Sequence, residues 1–295
     1  MGLDCHVAAG RELLPELAAL PGHVLWRAAG RTQLILDATL PSDAGIQAYA
    51  VLRVLGDGVP RSQQALALAV STSRTTLGKV AAGLVSRGLV ERVRNPDDRR
   101  SYLLTRTDAG AEAAEEWAPS VEAADAAVRA PFSADEADDL TALLARLLVA
   151  DDGTAAAPEL RTFPGFLIVR AHTAVGPRFS AGLAPLGIEP RHIGSLVAVR
   201  ARGPMPQTEL AGYLGLSPAS VVGIVDELEQ RGLVERRRST TDRRAHELHL
   251  TGEAPAVIDR ARTLADAVVE VVCADLAADE LERLLGYLRR VVTDA

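Results

Sequence analysis

Two strips of this 295-residue chain concentrate arginine. Ser86 to Arg106 holds six arginines against three acids, and Gln230 to Leu250 repeats that tally. Each strip carries +3 within a chain of net charge −7, so the remainder totals −13. Guanidinium groups gathered on an otherwise acidic body suit contact with a polyanion at two local places rather than over a whole surface. Other chemistry is sparse. The six histidines are scattered and form neither a His-x-His nor a His-Glu-x-x-His metal site. A phosphate loop and a Gly-x-Ser-x-Gly elbow are both missing. The reading is therefore not an enzyme, with no catalytic residue, no metal and no cofactor expected. Glu112, Glu115 and Glu116 form a helical acidic face of the solvated kind.

The arginine strips belong to a longer internal repeat. Gly88-Leu89-Val90-Glu91-Arg92 recurs as Gly232-Leu233-Val234-Glu235-Arg236, and Asp98-Arg99-Arg100 as Asp242-Arg243-Arg244, both at an offset of 144. The same offset aligns Pro60 with Pro204, Gln63 with Gln207, Leu66-Ala67 with Leu210-Ala211 and Leu84 with Leu228. Upstream, Pro21-Gly22 and Arg27-Ala28 match Pro164-Gly165 and Arg170-Ala171 at 143, one residue having been gained or lost between the blocks. A duplication thus divides the chain into residues 1–150 and 159–295, with the small, polar, proline-closed stretch 151–158 as linker.

Each copy reads as helical with one hairpin. In the first, Ser73 or Ser71 caps a helix with Leu77, Val80, Ala81, Leu84 and Val85 on one face, and Gly88 ends it. In the second, Ser217 caps, Pro218 fits the first turn, and Val221, Ile224, Val225 and Leu228 make the stripe before Gly232. A shorter helix precedes each, near Ser62–Val70 and Gln207–Leu214, giving a helix-turn-helix. A strand, an arginine-rich tip and an alternating strand (Ser101 to Thr105, Ala245 to His249) then make a β-wing.

Bulk properties fit this reading. Aromatics are only 3% and Ala is abundant, which favours helices over a sandwich or barrel. No apolar run spans a membrane, and Met1 to Gly10 lacks the order of a secretory signal. Cys5 and Cys273 lie near opposite ends, so no disulfide framework is expected and the compartment reads as cytoplasmic.

The ordered set of Gln63 to Ala67, Gly88 to Arg92, Asp98 to Arg100 and Thr107 to Gly110 resembles the MarR family of bacterial regulators, as does Gln207 to Ala211, Gly232 to Arg236, Asp242 to Arg244 and Leu250 to Gly252. The resemblance covers nearly the whole chain, twice. It implies a mostly α fold with two small β-wings: two winged helix-turn-helix domains in an intramolecular pseudo-two-fold dimer, one chain acting as a covalent pseudo-dimer. Residues 10–39 would then interlock with 111–150, and 164–183 with 255–292. Leu140, Leu143, Leu144, Leu147, Leu148 and Leu281, Leu284, Leu285, Leu288, Val291, Val292 supply the apolar faces.

The implied function is a ligand-responsive DNA-binding regulator, in the sense of a repressor, on double-stranded DNA. Recognition-helix residues Ser73, Arg74, Thr75, Thr76 and Lys79 would face bases and phosphates in copy one, Ser217 and Ser220 in copy two. Arg94, Arg99, Arg100, Arg237, Arg238, Arg243 and Arg244 would come from the wings, with Asp98 and Asp242 orienting them. The copies are unequal. Pro218, Ala219, Ser220 and Gly223 stand where copy one has Arg74, Thr75, Thr76 and Lys79, so copy one is expected to be the stronger base reader.

A small phenolic or anionic effector is also implied by the family. His23, Trp26, Arg27, Phe166, Arg170, His172 and His192 are candidates to line its cleft. Cys5 raises the peroxide-sensing branch but lacks its flanking aromatics, and Cys273 reads as core. The alternative is a duplicated winged-helix protein that has given up DNA and binds a small molecule, or hosts a reaction, between its halves.

Overall fold

The computed structural model describes residues 13–41, 45–70, 72–98, 100–152, 160–238 and 246–295. The first winged module runs α3 (Ile46–Val54), α4 (Gln63–Ala69), α5 (Arg74–Ser86), β1 (Val90–Arg94) and β2 (Tyr102–Arg106); it is preceded by α1 (Pro15–Ala18) and α2 (Pro21–Thr39). The long helices α6 (Asp108–Arg129) and α7 (Ala134–Asp152) follow. After α8 (Pro164–Leu183) the order repeats: α9 (Pro190–Arg202), β3 (Met205–Pro206), α10 (Gln207–Leu214), α11 (Pro218–Gln230), β4 (Val234–Arg238) and β5 (His246–Leu250). Helices α12 (Ala254–Val272) and α13 (Ala278–Thr293) close the chain. This is the mostly α, two-wing architecture that the repeat implies.

Local chemistry explains the element ends. Ser62, Ser73 and Ser217 are extended at the N-caps of α4, α5 and α11, and each hydroxyl accepts from the amide three residues on, at 3.1–3.2 Å. Between the two serines open as the cap of α5, the structure uses Ser73. Gly88 (φ 71°) and Gly232 (φ 66°) take the left-handed conformation just past α5 and α11, and Leu89 and Leu233 then donate back to Leu84 and Leu228. Each wing is antiparallel, pairing Val90 with Arg106 through Arg94 with Tyr102, and Val234 with Leu250 through Arg238 with His246. The second sheet gains a third strand, β3 on β5, where the first has only an isolated bridge between Arg61 and Leu104.

Two compact units form: Thr32–Ala174, and Val175–Ala295 together with the residues up to Arg31. These units cut across the sequence repeat, because the divisions fall inside α2 and inside α8. In the unit with the first module, Tyr49, Leu52, Leu66, Leu77, Leu84, Leu104 and Trp117 are buried. The other unit gathers Leu14 and Leu17 with Leu196, Leu210, Leu214, Val221, Val225, Leu228 and Leu248 in one cluster. The first repeat's N-terminal segment therefore helps to build the core beneath the second module. Leu140, Leu143, Leu144, Leu147, Leu148, Leu284, Leu285, Leu288, Val291 and Val292 are buried; Leu281 is only half-buried.

Candidate nucleic-acid interface

In the first module α5 stands on Leu77, Ala81 and Leu84, which are buried, and this turns its other face outward. Arg74, Thr75 and Lys79 are exposed there. Gln64 of α4 accepts from the Arg74 guanidinium at 2.5 Å, so the two helices of the turn fix the reach of that side chain. The Ser73 hydroxyl is committed to the Thr76 amide (3.1 Å) and lies 2.9 Å from the Thr76 hydroxyl. Ser73 therefore positions the helix, and Thr75 and the flanking cations are the outward chemistry.

The wing continues the same charge. Arg94 and Arg100 are exposed. Asp98 accepts from the backbone N–H of Arg100 at 3.0 Å, Asn95 accepts likewise from Asp97 at 3.0 Å, and the Asn95 amide meets the Ser101 hydroxyl at 3.0 Å. Asp98 thus closes the main-chain turn at the wing tip through the Arg100 backbone N–H. Arg99 of the first wing lies outside the described residues, as do Asp242, Arg243 and Arg244 of the second.

The second module keeps the frame and changes the chemistry. Ser217 caps α11 through the Ser220 amide (3.2 Å) and sits 2.8 Å from the Ser220 hydroxyl, the same arrangement as Ser73 with Thr76. On the outward face, however, are Ala219, Val222 at 45% exposure, and Gly223. No residue of α11 is basic, and Asp226, Glu227 and Glu229 are acidic, whereas α5 carries Arg74 and Lys79 and no acid. Two of those acids are spent on the wing: Arg236 meets Asp226 at 2.5 Å and also pairs with Glu229, with Gln207 at 3.4 Å. These acidic partners raise the Arg236 pKa above its usual value even against partial burial. Arg237 and Arg238 are exposed, Arg237 beside Glu235. The sequence reading foresaw the lost cations of α11 but missed the Arg236 tie, whose only trace is acids at positions 226 and 229 where copy one has Ala82 and Val85.

The effector candidates separate between the units. His23, Trp26 and Arg27 of α2 lie in the unit of the second module, together with His192; Phe166, Arg170 and His172 of α8 lie in the unit of the first. His23 and Trp26 rings are 5.4 Å apart, and Arg27, 2% exposed, donates to the Tyr213 carbonyl at 3.0 Å. A side chain at Gly215, the left-handed cap of α10, would stand 2.6 Å from the Arg27 guanidinium carbon. Burial lowers Arg27 to about 10 and, with the Arg27 charge beside it, His23 to about 3. His23 is neutral at physiological pH and Arg27 stays charged. Burial likewise holds His172 at about 4, and Phe166 and Arg170 are buried.

His192 is fully enclosed. The Glu189 amide donates to its Nδ1 (3.0 Å), which leaves Nε2 to carry the proton and donate to Glu227 at 2.9 Å. Both ring nitrogens are taken up within the protein. Cys5 lies outside the described residues, and the half-buried Cys273 thiol is pushed up to about 11 by burial, the opposite of an activated thiolate. Among the described residues no cluster of His, Cys, Asp and Glu could hold a metal, and no helix is long and apolar enough to cross a membrane.

Comparison with known proteins places a family on both winged modules. A MarR family model matches residues 43–101 and a second matches residues 189–246. Among solved structures, the chain is similar to the transcriptional repressor CouR bound to a 23-mer DNA duplex, at 33% identity over 44% of this chain and 92% of that one (TM-score 0.42). It is similar to CouR from Rhodococcus jostii RHA1 bound to p-coumaroyl-CoA at 27% identity, over 44% of this chain and 92% of that one (TM-score 0.40). A mutant MarR from E. coli complexed with operator DNA gives 23% identity over 46% and 99% (TM-score 0.41). Each matched family segment spans a helix-turn-helix and runs into its wing, so the chain belongs to the MarR family and carries the MarR-type winged module twice in one polypeptide.

Proposed function

We propose that the protein is a ligand-responsive transcriptional repressor that grips one operator with a single chain, reading bases through the first module and holding backbone through the second wing. The observation that carries this reading is the conjunction on the first module of Arg74, Thr75 and Lys79 on an outward helix face with Arg94 and Arg100 on the adjoining wing. Hydroxyl and cationic donors on a helix, with arginines on a hairpin, are the groups that meet base edges and phosphates. The DNA-bound relatives support the partner, and the relative bound to p-coumaroyl-CoA supports a small-molecule effector.

The single-chain mode is supported by the duplication and by the division of the two units inside α2 and α8, which gives each unit a segment of both repeats. By the general docking geometry of paired helix-turn-helix readers, the proposal puts the half-sites about one helical turn apart, roughly 10–11 bp. With three acids and no base on α11, the second half-site is held by Arg237 and Arg238 rather than read. A cytoplasmic location follows from this role. Size-exclusion chromatography with light scattering on an operator duplex tests the mode. One chain per duplex is expected, and two chains per duplex would refute it.

A further inference from the structure

The helices α5 and α11 share a frame and differ in how they are tied to their neighbours. In the second module the Glu227 carboxylate of α11 receives Arg191 at 2.8 and 2.9 Å and the His192 ring at 2.9 Å, both from the first turn of α9. Arg191 also lies 3.4 Å from Glu189. Partial burial pushes the Glu227 carboxyl up, and these donors outweigh it and hold the group below its usual range. Past the end of α11, Arg231 donates to the Gly187 carbonyl at 2.7 Å, ahead of α9. On the other side Asp226 and Glu229 hold Arg236 of β4. Charge-assisted hydrogen bonds thus bind α11 both to α9 and to the wing.

The first module has no residues to make these ties. At the offset of 144, Glu189, Arg191, His192, Asp226, Glu227 and Glu229 correspond to Gly45, Gln47, Ala48, Ala82, Gly83 and Val85. Arg92, the counterpart of Arg236, is exposed. Arg74 with Gln64 secures the first turn of α5, and the rest of that helix stands on the apolar contacts of Leu77, Ala81 and Leu84. Within α5 are also Gly78 and Gly83, where α11 has Val222 and Glu227. Packing does not require either glycine, because a Cβ at each position would meet nothing within 4 Å. Each lowers the stability of the helix about fourfold to fivefold relative to alanine, roughly twentyfold for the pair.

We infer that Glu227, with Asp226 and Glu229, is a positioning residue that locks the second reader helix, and that α5 is the reader that opens locally in the free protein and is closed by the duplex. A partner that binds only the closed helix draws the equilibrium toward it. The acids of α11 therefore have a use of their own. They replace reading chemistry with rigidity, and the second module serves as the fixed anchor while the first adapts. The lock and the opening stand on the protein alone; only the closing step rests on the DNA reading.

Hydrogen exchange of the full chain, followed by mass spectrometry with and without an operator duplex selected from a random pool, tests this. In the free protein, α5 amides should exchange at least about tenfold faster than α11 amides once intrinsic rates are removed. Gly78→Ala with Gly83→Ala should slow α5 roughly twentyfold and leave α11 unchanged. Glu227→Gln should speed α11 at least about tenfold and leave α5 unchanged, a local effect that a general loss of stability would not give. Equal exchange of the two helices, or an α5 that the alanine pair does not slow, would overturn the inference, and the alanine pair decides it even if Glu227→Gln does not fold. Bound duplex should slow α5 more than α11. A duplex that binds and leaves α5 unchanged would overturn the closing step. A chain that binds no duplex yet shows the expected pattern in both variants would overturn the DNA reading and uphold the lock.

Discussion

The salt dependence of DNA binding follows from how the arginines are held. Among the described residues, seven exposed cations stand on the first reader helix and the two wings (Arg74, Lys79, Arg92, Arg94, Arg100, Arg237 and Arg238), and Glu235 partly offsets Arg237, which leaves about six. If each neutralises one phosphate, counterion release gives a log–log slope of about −5, roughly a thousandfold loss of affinity between 50 and 200 mM salt. Arg94→Ala with Arg100→Ala removes two contacts, and the slope should shrink by about 1.8. Arg236→Ala is the discriminating control. That guanidinium is already neutralised by Asp226 at 2.5 Å and by Glu229, so it has no phosphate counterions to release. Its loss should cost stability and leave the slope in place. Fluorescence anisotropy of a labelled operator across a salt series measures all three proteins. A slope that falls as much for Arg236→Ala as for the Arg94, Arg100 pair would refute the reasoning, as would a pair variant with the parental slope.

Two further outcomes concern the frame beneath the readers. Folded-state burial holds His23 at about 3 and His172 at about 4, against 6.5 when unfolded, so below pH 6.5 the unfolded chain takes up protons that the folded chain refuses. Stability is therefore full above that pH and falls as pH drops, by about 2 kcal/mol per histidine between pH 7 and pH 5, with His192, also lowered, acting in the same direction; urea unfolding at the two pH values should show the loss, and a flat profile would contradict it. Gly215→Ala places a side chain at φ 64° and against the Arg27 guanidinium, displacing it from the Tyr213 carbonyl, so thermal unfolding should register a cost of about 2–4 kcal/mol, and an unchanged midpoint would contradict the packing described.

Much of the architecture was legible because it is written locally. Ser73 and Ser217 cap, Gly88 and Gly232 terminate, Pro218 opens α11, and Gln207–Leu214 is the helix expected there. What the residues could not show is long-range. Nothing in Leu14 or Leu17 tells that the first repeat's start packs with Val221 and Leu248 of the second. The repeat puts His23 and His192 in different copies, yet both belong to one unit, since the division inside α2 is set by tertiary packing. His192 looks like an open ligand from its type alone; the Glu189 amide takes its Nδ1 locally, and Glu227, 35 residues away, takes Nε2. The Arg236 tie has the same origin, because a basic wing reads as free charge until its acidic neighbours on the adjacent helix are placed.

The inequality of the two reader helices is open to a direct measurement. Substituting each base pair of the operator in turn, and measuring affinity by anisotropy at fixed salt, separates base reading from backbone holding. We expect penalties of about 1–3 kcal/mol per position confined to one half-site, and those penalties should relax when Lys79 or Arg74 is replaced. Equal penalties in both half-sites, unmoved by either replacement, would contradict it.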